Sequence, residues 1–432
     1  MAIDFNFFDE LPDNWETARV KNILDYNHHY PIGDGDHGSI KPEMYQDEGI
    51  PYLRVQNLSW GFDINYDNLV YISDEVNLAN SKSILIPDDI LIAKTGATVG
   101  KMAIIPKSMP QANTTSSVGK VTINQKLFNI KYFAYLFSSP MFQEQIKEKA
   151  YQKSAQPGFN IDDLIEFKII IPPFNAQQQL ANYLDQKTDK IDSTIAKNKE
   201  LIQLLEEKRV ALINQVVTKG LNPDVPMKDS GVEWIGEIPE HWAVNPLKSV
   251  ANIIMGQSPN SNDINDENQG ILFMQGNADF TDKYPNPSEY CTAPNKISRE
   301  GDILMSVRAP VGELNISDKR YGIGRGLCSI QPINVTQSFL WYYLIKSKLD
   351  FNYYSNGSTF DAITIGNLSS FPITIPKLTE QKQIGNYLNK ETFKIDKIIE
   401  KVTKNINLLE EYKTSLIHHV VTGKIDVRGE EI

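Results

Sequence analysis

The stretch 169–218, IIIPPFNAQQQLANYLDQKTDKIDSTIAKNKELIQLLEEKRVALINQVVT, occurs twice in this 432-residue chain. Shifted by 204 positions, it lies without a gap on residues 373–422, ITIPKLTEQKQIGNYLNKETFKIDKIIEKVTKNINLLEEYKTSLIHHVVT, with 24 identities in 50 pairs. Chance gives only a few, and an internal repeat constrains a fold more tightly than local propensity does. From Ala176 to Thr218 there is no Gly or Pro, so the stretch predicts a helix of about 65 Å at 1.5 Å per residue.

Steps of four and three from Leu184 give Thr188, Ile191, Ile195, Asn198, Ile202, Leu205, Arg209, Leu212 and Val216, seven of ten aliphatic. In the second copy the series runs Leu388, Thr392, Ile395, Ile399, Val402, Ile406, Leu409, Lys413, Leu416, Val420, eight of ten aliphatic. Each is a coiled-coil seam with polar flanks. Two such stripes in one chain can bury each other, with Leu184, Ile191, Ile195, Ile202, Leu205 and Leu212 facing Leu388, Ile395, Ile399, Ile406, Leu409 and Leu416.

Outside the helices the repeat continues with small gaps. LPDNWE (11–16) pairs with IPEHWA (238–243), IPYLRVQN (50–57) with ILFMQGNA (271–278), and DILIAKTGATVGK (89–101) with DILMSVRAPVGE (302–313). Each half reads as a PxxW entry, short alternating strands with Gly/Pro/Asn turns, an Ile-Pro exit and a long helix. The predicted fold class is α+β. Two mixed α/β domains are separated by two long antiparallel helices forming an intramolecular coiled coil, a pseudo-twofold repeat. The segments are 1–172 and 238–376 (globular), 173–219 and 377–424 (helices), 220–237 (a linker rich in Pro, Gly and Asp) and 425–432 (a tail).

No catalytic constellation emerges. GATVGK (96–101) has three residues between its glycines where a phosphate-binding loop needs four, and Met102 replaces the hydroxyl that would hold magnesium. IPPF (171–174) is like a methyltransferase signature, but Ile171 cannot accept a base's amino proton. GIGRG (322–326) has the glycines of a dinucleotide loop without a following helix, and reads as a flexible turn. DGDHG (34–38) pairs two aspartates, yet Tyr45 stands where a calcium loop needs glutamate. Six histidines and two cysteines show no zinc spacing, so no metal and no catalytic residue is expected. Two cysteines build no disulfide framework, and neither a secretory leader nor a membrane span is apparent, so a soluble cytoplasmic protein is expected.

A net charge of −11 argues at first against a nucleic-acid ligand. Divided by segment, it separates. Residues 1–90 hold 5 Lys+Arg against 17 Asp+Glu, but 91–160 hold 9 against 2; in the second copy 238–290 hold 2 against 7, and 291–360 hold 8 against 5. The basic stretches are interleaved with Thr, Asn, Gln and Gly, a composition that suits phosphate neutralisation and reading of base edges.

The paired PxxW entries, DGDHG, LRVQN and FMQGN, the two DIL…VG segments, GIGRGLCSI, the two Ile-Pro to LLEE helices and the linker KGLNPDVPMKDSGVEWIGEIPEHW together resemble the specificity subunit (HsdS) of type I restriction-modification systems, over essentially the whole chain. The resemblance implies two target-recognition domains, 1–172 and 238–376, each reading one half of a split, asymmetric double-stranded DNA site. It implies that the helices 173–219 and 377–424 act as spacer and as docking surface for two methyltransferase subunits, with restriction subunits joining the full complex and no membrane involved. By itself the chain would be non-catalytic, with S-adenosylmethionine for adenine-N6 methylation, and ATP and Mg for DNA cleavage, bound by the partners. From charge and polarity, the candidate DNA contacts are Arg54, Gln56, Asn57, Lys94, Thr95, Lys101 and Lys120 in the first domain, and Gln275, Asn277, Arg308, Arg320 and Arg325 in the second. A non-DNA coiled-coil adapter, and a self-sufficient methyltransferase or nuclease, stay open on the residues alone.

Overall fold

The computed structural model describes residues 11–152, 157–348, 350–351, 362–425 and 427. Two compact units divide the chain: Met1–Lys197 with Asn405–Ile432, and Asn198–Lys404. Each unit holds one globular domain and a piece of both long helices, so the division falls within the helices and not at the expected linker.

In unit 1 the domain is a mixed α/β body. Strands β1 (Glu16–Arg19), β2 (Ile32–Asp34), β3 (Ile50–Leu53) and β4 (Val70–Ile72) precede helix α1 (Asp74–Ala79); β5 (Ile90–Ala93), β6 (Met102–Ile104), β7 (Asn113–Thr114) and β8 (Val118–Val121) follow. Then come α2 (Ile130–Ser138), α3 (Pro140–Ala150), α4 (Ile161–Glu166), β9 (Lys168–Ile171) and the long helix α5 (Phe174–Lys219). A four-stranded antiparallel sheet has the order β2-β8-β5-β6, a smaller one the order β4-β3-β7, and β1 pairs with β9.

Unit 2 repeats this plan. After a hairpin, β10 (Met227–Asp229) and β11 (Glu237–Pro239), come β12 (Ala243–Pro246), β13 (Ala251–Met255), β14 (Ile264–Asn265), β15 (Ile271–Met274) and β16 (Tyr290–Cys291). They are followed by β17 (Ile303–Ser306), β18 (Leu314–Ile316), β19 (Gly322–Ile323), β20 (Leu327–Pro332), α6 (Gln337–Lys346), α7 (Ile365–Ser370), β21 (Pro372–Ile375) and the second long helix α8 (Leu378–Val421). The sheets are β13-β20-β17-β18 and β14-β16-β15-β19, and β12 pairs with β21. The stretch expected to be a linker is itself folded: Ile235 and Ile238 on the hairpin are buried in the same core as Trp242, because a segment with Val232, Trp234, Ile235 and Ile238 has apolar surface to remove from water.

Burial on the long helices follows the four-three steps. Leu184, Ile191, Ile195, Leu388, Ile395, Ile406 and Leu416 are buried, Ile202, Leu205, Ile399 and Leu409 are half-buried between exposed neighbours, and Leu212 is half-buried beside buried Ile213. Within each unit the two helix pieces run antiparallel. In unit 1 the Tyr132 hydroxyl reaches the carbonyls of Ile170 (3.2 Å) and Val421 (3.1 Å), and Asp192 pairs with Lys413 at 2.6 Å. In unit 2 the Thr374 hydroxyl donates to Val217 O (3.0 Å), and Arg209 pairs with Asp396 at 3.0 Å. Asp192 and Asp396, and Arg209 and Lys413, are separated by the repeat interval of 204, so one ion pair is the copy of the other.

The polar steps of the seam have partners of the same kind. Thr188 meets the Tyr135 hydroxyl at 3.0 Å and Thr392 meets Tyr342 at 2.9 Å, anchoring each helix to its own domain. Gln177 and Gln381, both buried, fasten the helix starts: Gln177 accepts from Asn129 N (2.8 Å) and donates to Pro172 O (2.8 Å), and Gln381 accepts from Thr336 N (2.8 Å) and donates to Pro376 O (2.9 Å). The helices end at Gly220 (φ +76°) and Gly423 (φ +74°), left-handed positions where a side chain is strained. Close approach adds a second reason for glycine, since a Cβ at Gly220 would press on Trp242 and one at Gly423 on Pro12 and Trp15. The PxxW tryptophans therefore seat the helix ends. Among the described residues, no helix is long and apolar enough to cross a membrane.

Candidate nucleic-acid interface

In each domain four loops meet at one end of the main sheet. In the first they follow β2 (35–38) and β3 (54–57) and join β5 to β6 (94–101) and β7 to β8 (115–117). Backbone bonds knit them: Asp36 N donates to Thr114 O (3.0 Å), Gly35 N to Thr115 O (3.1 Å), Ser116 N to Asp36 O (2.9 Å) and Lys94 N to Ser117 O (2.8 Å). The second domain repeats the frame. Gln257 N donates to Ile323 O (3.0 Å), Gly324 N to Met274 O (2.7 Å), Gly326 N to Gln275 O (3.0 Å) and Val307 N to Gly326 O (2.9 Å). In each domain the loop cluster is a rim on which exposed side chains can meet a ligand.

The side chains on the two frames differ. In the first domain buried Asp36 accepts from the Tyr52 hydroxyl and from the amides of Gly38 (2.9 Å) and Ile40 (2.9 Å). Burial, with Asp36 as hydrogen-bond partner, pushes the Tyr52 phenol well above its ordinary range. DGDHG is thus a loop organiser, and among the described residues no group of His, Cys, Asp and Glu is arranged to hold a metal. In the second domain Gln275 is exposed and donates to Ser258 Oγ (2.8 Å), and the loops carry no acid in the place of Asp36, where Gln257 stands.

Several candidate DNA contacts are corrected by their surroundings. Lys120 is 1% exposed and its Nζ donates to Ile84 O (2.7 Å). On β8 it points into the domain toward buried Asp89; burial lowers the Lys120 ammonium and raises the Asp89 carboxyl, each opposed by the other's charge. Lys94 is buried and paired with Asp34, so its charge is spent internally. Asn57 is wholly buried, accepting from Arg54 N (3.0 Å) and donating to Asn65 O (2.9 Å), which makes it a turn cap. Arg320 is exposed, but on the loop between β18 and β19, at the end of the sheet where β17 begins and away from the loop cluster.

The remaining candidates sit on the loops. Arg54 is half-buried, donating to Asn68 O (2.6 Å) and lying 5.6 Å from the Tyr45 ring centroid; Gln56 is exposed beside it. Thr95 is half-buried in a bridge to Gly158, and Lys101 is half-buried at the end of the β5–β6 turn. In the second domain Asn277 is half-buried after β15, and Arg308 and Arg325 are exposed. Asp36, Ser116, Gln257 and Ser258 carry no distinct signal in the segment charge counts; backbone and side-chain bonds place all four in the loop clusters.

The sequence model of the family described as "Type I restriction modification DNA specificity domain" matches residues 12–204 and 239–410. The chain is 32% identical to a putative type I restriction enzyme MjaX specificity subunit of Methanocaldococcus jannaschii, over 97% of this chain and 95% of that one. It is 23% identical to the type I restriction enzyme StySPI specificity subunit of Salmonella potsdam, over 96% and 90%. Among solved structures, a chain from a study of complex assembly and conformational transition of the type I R-M system aligns with a TM-score of 0.79 at 22% identity, covering 96% of this chain and all of that one. The HsdS subunit from Thermoanaerobacter tengcongensis aligns with a TM-score of 0.57 at 22% identity, over 96% and 98%. At these identities the structural likeness speaks for the fold.

Proposed function

Since this chain belongs to the type I restriction-modification DNA specificity family, we propose that it recognises an asymmetric, two-part duplex DNA target, one half through each loop cluster. The observation that carries this reading is that the two family matches, 12–204 and 239–410, each contain a complete loop cluster on the same backbone frame with different side chains. A shared frame with changed side chains suits two readers of unlike sequences. On the first rim Gln56, Thr95 and Lys101 are the proposed contacts, and on the second Gln275, Asn277, Arg308 and Arg325.

Two methyltransferase subunits dock on the helix-bearing parts in this reading, and restriction subunits complete the assembly. S-adenosylmethionine for adenine-N6 methylation, and ATP with Mg for translocation and cleavage, belong to those partners; the chain itself contributes specificity and no chemistry, and works in the cytoplasm. Helix length sets the number of unspecified base pairs, so adding a turn to α5 is expected to change the spacer and leave both half-sites intact.

Co-expression with a methyltransferase subunit, followed by genome-wide mapping of methylated adenine, tests the proposal. Two unequal half-sites around a fixed spacer are expected; a continuous palindrome overturns it. A coiled-coil protein adapter would instead show neither salt-dependent duplex binding nor a split sequence preference.

A further inference from the structure

We propose that Arg308 and Arg325 form a guanine-reading pair that places a G·C pair in the half-site taken by the second domain; this rests on the DNA-recognition reading above. The Val307 N to Gly326 O bond (2.9 Å) sets Arg308 one residue beyond it on one segment and Arg325 one residue before it on the other. Both side chains are exposed, and neither has an ion pair or a side-chain hydrogen bond among the described residues.

The backbone under each arginine is held from two sides. Ile363 N donates to Val307 O (2.9 Å), and Leu327 N donates to Gly324 O (3.0 Å), closing a turn around Arg325. Gly324 and Gly326, the glycines flanking Arg325, are required by close packing: a Cβ at Gly324 would lie 2.4 Å from Gln275 Oε1, and one at Gly326 would lie 2.6 Å from Gln275 O. GIGRG is therefore a rigid mount for one arginine. A fixed backbone removes the cost of ordering the loop on contact and leaves only the side chain's own rotamers to settle.

The first domain shows that the frame itself needs no arginine. Its matching bond, Lys94 N to Ser117 O (2.8 Å), is flanked by Thr95 and Ser116. Two like charges mounted close together repel, and among the described residues no carboxylate pairs with either, so the pair is offered to an acceptor outside the chain. Guanine offers O6 and N7 side by side in the major groove, and the planar guanidinium matches them with two parallel donors.

The test uses the complex with its methyltransferase subunit and compares adenine methylation maps for the unaltered chain, Arg308→Gln, Arg325→Gln and the corresponding lysine variants, with thermal melting as the folding control. For each glutamine variant, methylation of the original target is expected to fall roughly five- to a hundredfold, with relaxation at a G·C position of one half-site and no change in the other. Arg→Lys is expected to keep the salt dependence of binding and lose base discrimination. A uniform loss across all sites with the consensus intact makes these residues phosphate contacts and overturns the proposal, as does a half-site without any G·C pair. A wild-type complex that methylates without a two-part preference would instead break the underlying DNA-recognition reading, whatever the arginine variants do.

Discussion

The long helices and the loop clusters of the two repeats have diverged in opposite ways. In the helices side chains and partners are kept together: Thr188 and Thr392 each meet a tyrosine, Gln177 and Gln381 each fasten a helix start, and Asp192–Lys413 copies Arg209–Asp396. In the loop clusters only backbone bonds are kept, while Asp36 is replaced in the second copy by Gln257, Arg54 by Gln275, Thr95 by Arg308 and Ser116 by Arg325. A scaffold preserves contacts, and a reading surface preserves geometry while its chemistry changes.

The sheet interior gives the sharpest way to break this contrast. Asp89 in unit 1 and Asp302 in unit 2 open the same DIL segment, yet Asp89 faces the Lys120 ammonium, whereas Asp302 accepts from Ser329 Oγ (2.6 Å) and Gln331 Nε2 (2.9 Å). Lys120→Ala leaves the Ile84 carbonyl without its donor and removes a nearby positive charge from Asp89, which keeps its bonds to Thr122 and Ile86 N; it is expected to cost about 1–3 kcal/mol, read as a shift in the denaturant midpoint. Unchanged stability with weakened DNA binding would return Lys120 to the reading surface.

A second difference lies at the helix ends. His418 is buried near the end of α8, and the repeat places Asn214 at the matching position of α5. Burial, then the neighbouring charges of His419 and Lys424, lowers the imidazole from 6.5 to about 4. An unfolded chain takes up this proton near pH 6.5 and the native one resists it until about pH 4, so the unfolded state binds more protons in that window and stability falls as pH drops through it. The loss is at most about 3 kcal/mol. His418→Asn is expected to flatten the acid limb of a pH-stability curve, and an unaltered limb would place the titrating group elsewhere.

The Gln177 and Gln381 pair tests whether the kept contacts are worth the same in both copies. Each truncation to alanine leaves a buried amide and a buried carbonyl unpaired, an expected cost of about 1–3 kcal/mol. Closely matched midpoint shifts would support a duplicated scaffold; a shift confined to one copy would show that the repeat has drifted in energy as well as in loops.

What the sequence made legible follows the same division. The seam from Leu184 to Val216 was readable because burial on a helix repeats with a period that residue type records. Charge and polarity do not report which way a residue points: a lysine alternating into a sheet, as Lys120 does, looks like one alternating out, and loop residues such as Lys94 and Asn57 can turn inward to Asp34 and to backbone groups. Arg320 is exposed but lies away from the loop cluster, since segment counts do not distinguish the two ends of a strand. The role of Gln177 is not legible because it bonds the Asn129 amide, a backbone group 48 residues away, and that of Asp36 because an aspartate pair reads the same whether it binds a metal or its own loop amides.

The smallest expected effect bears on the scaffold's register. Asp192–Lys413 and Arg209–Asp396 are exposed, the least exposed side chain retaining 29% of its surface, so each pair should contribute under about 1 kcal/mol. Their value would be directional: each cation lies on a seam step and its carboxylate just beside one, so a slipped helix pair loses both attractions at once. Asp192→Lys alone sets like charges together and is expected to cost about 0.5 kcal/mol. Adding Lys413→Asp reverses the pair and should restore stability. A double-mutant cycle measures the coupling directly, and the same reversal at Arg209 and Asp396 should give the same value. A coupling of zero at both sites would leave register to the aliphatic seam and the tyrosine–threonine anchors alone.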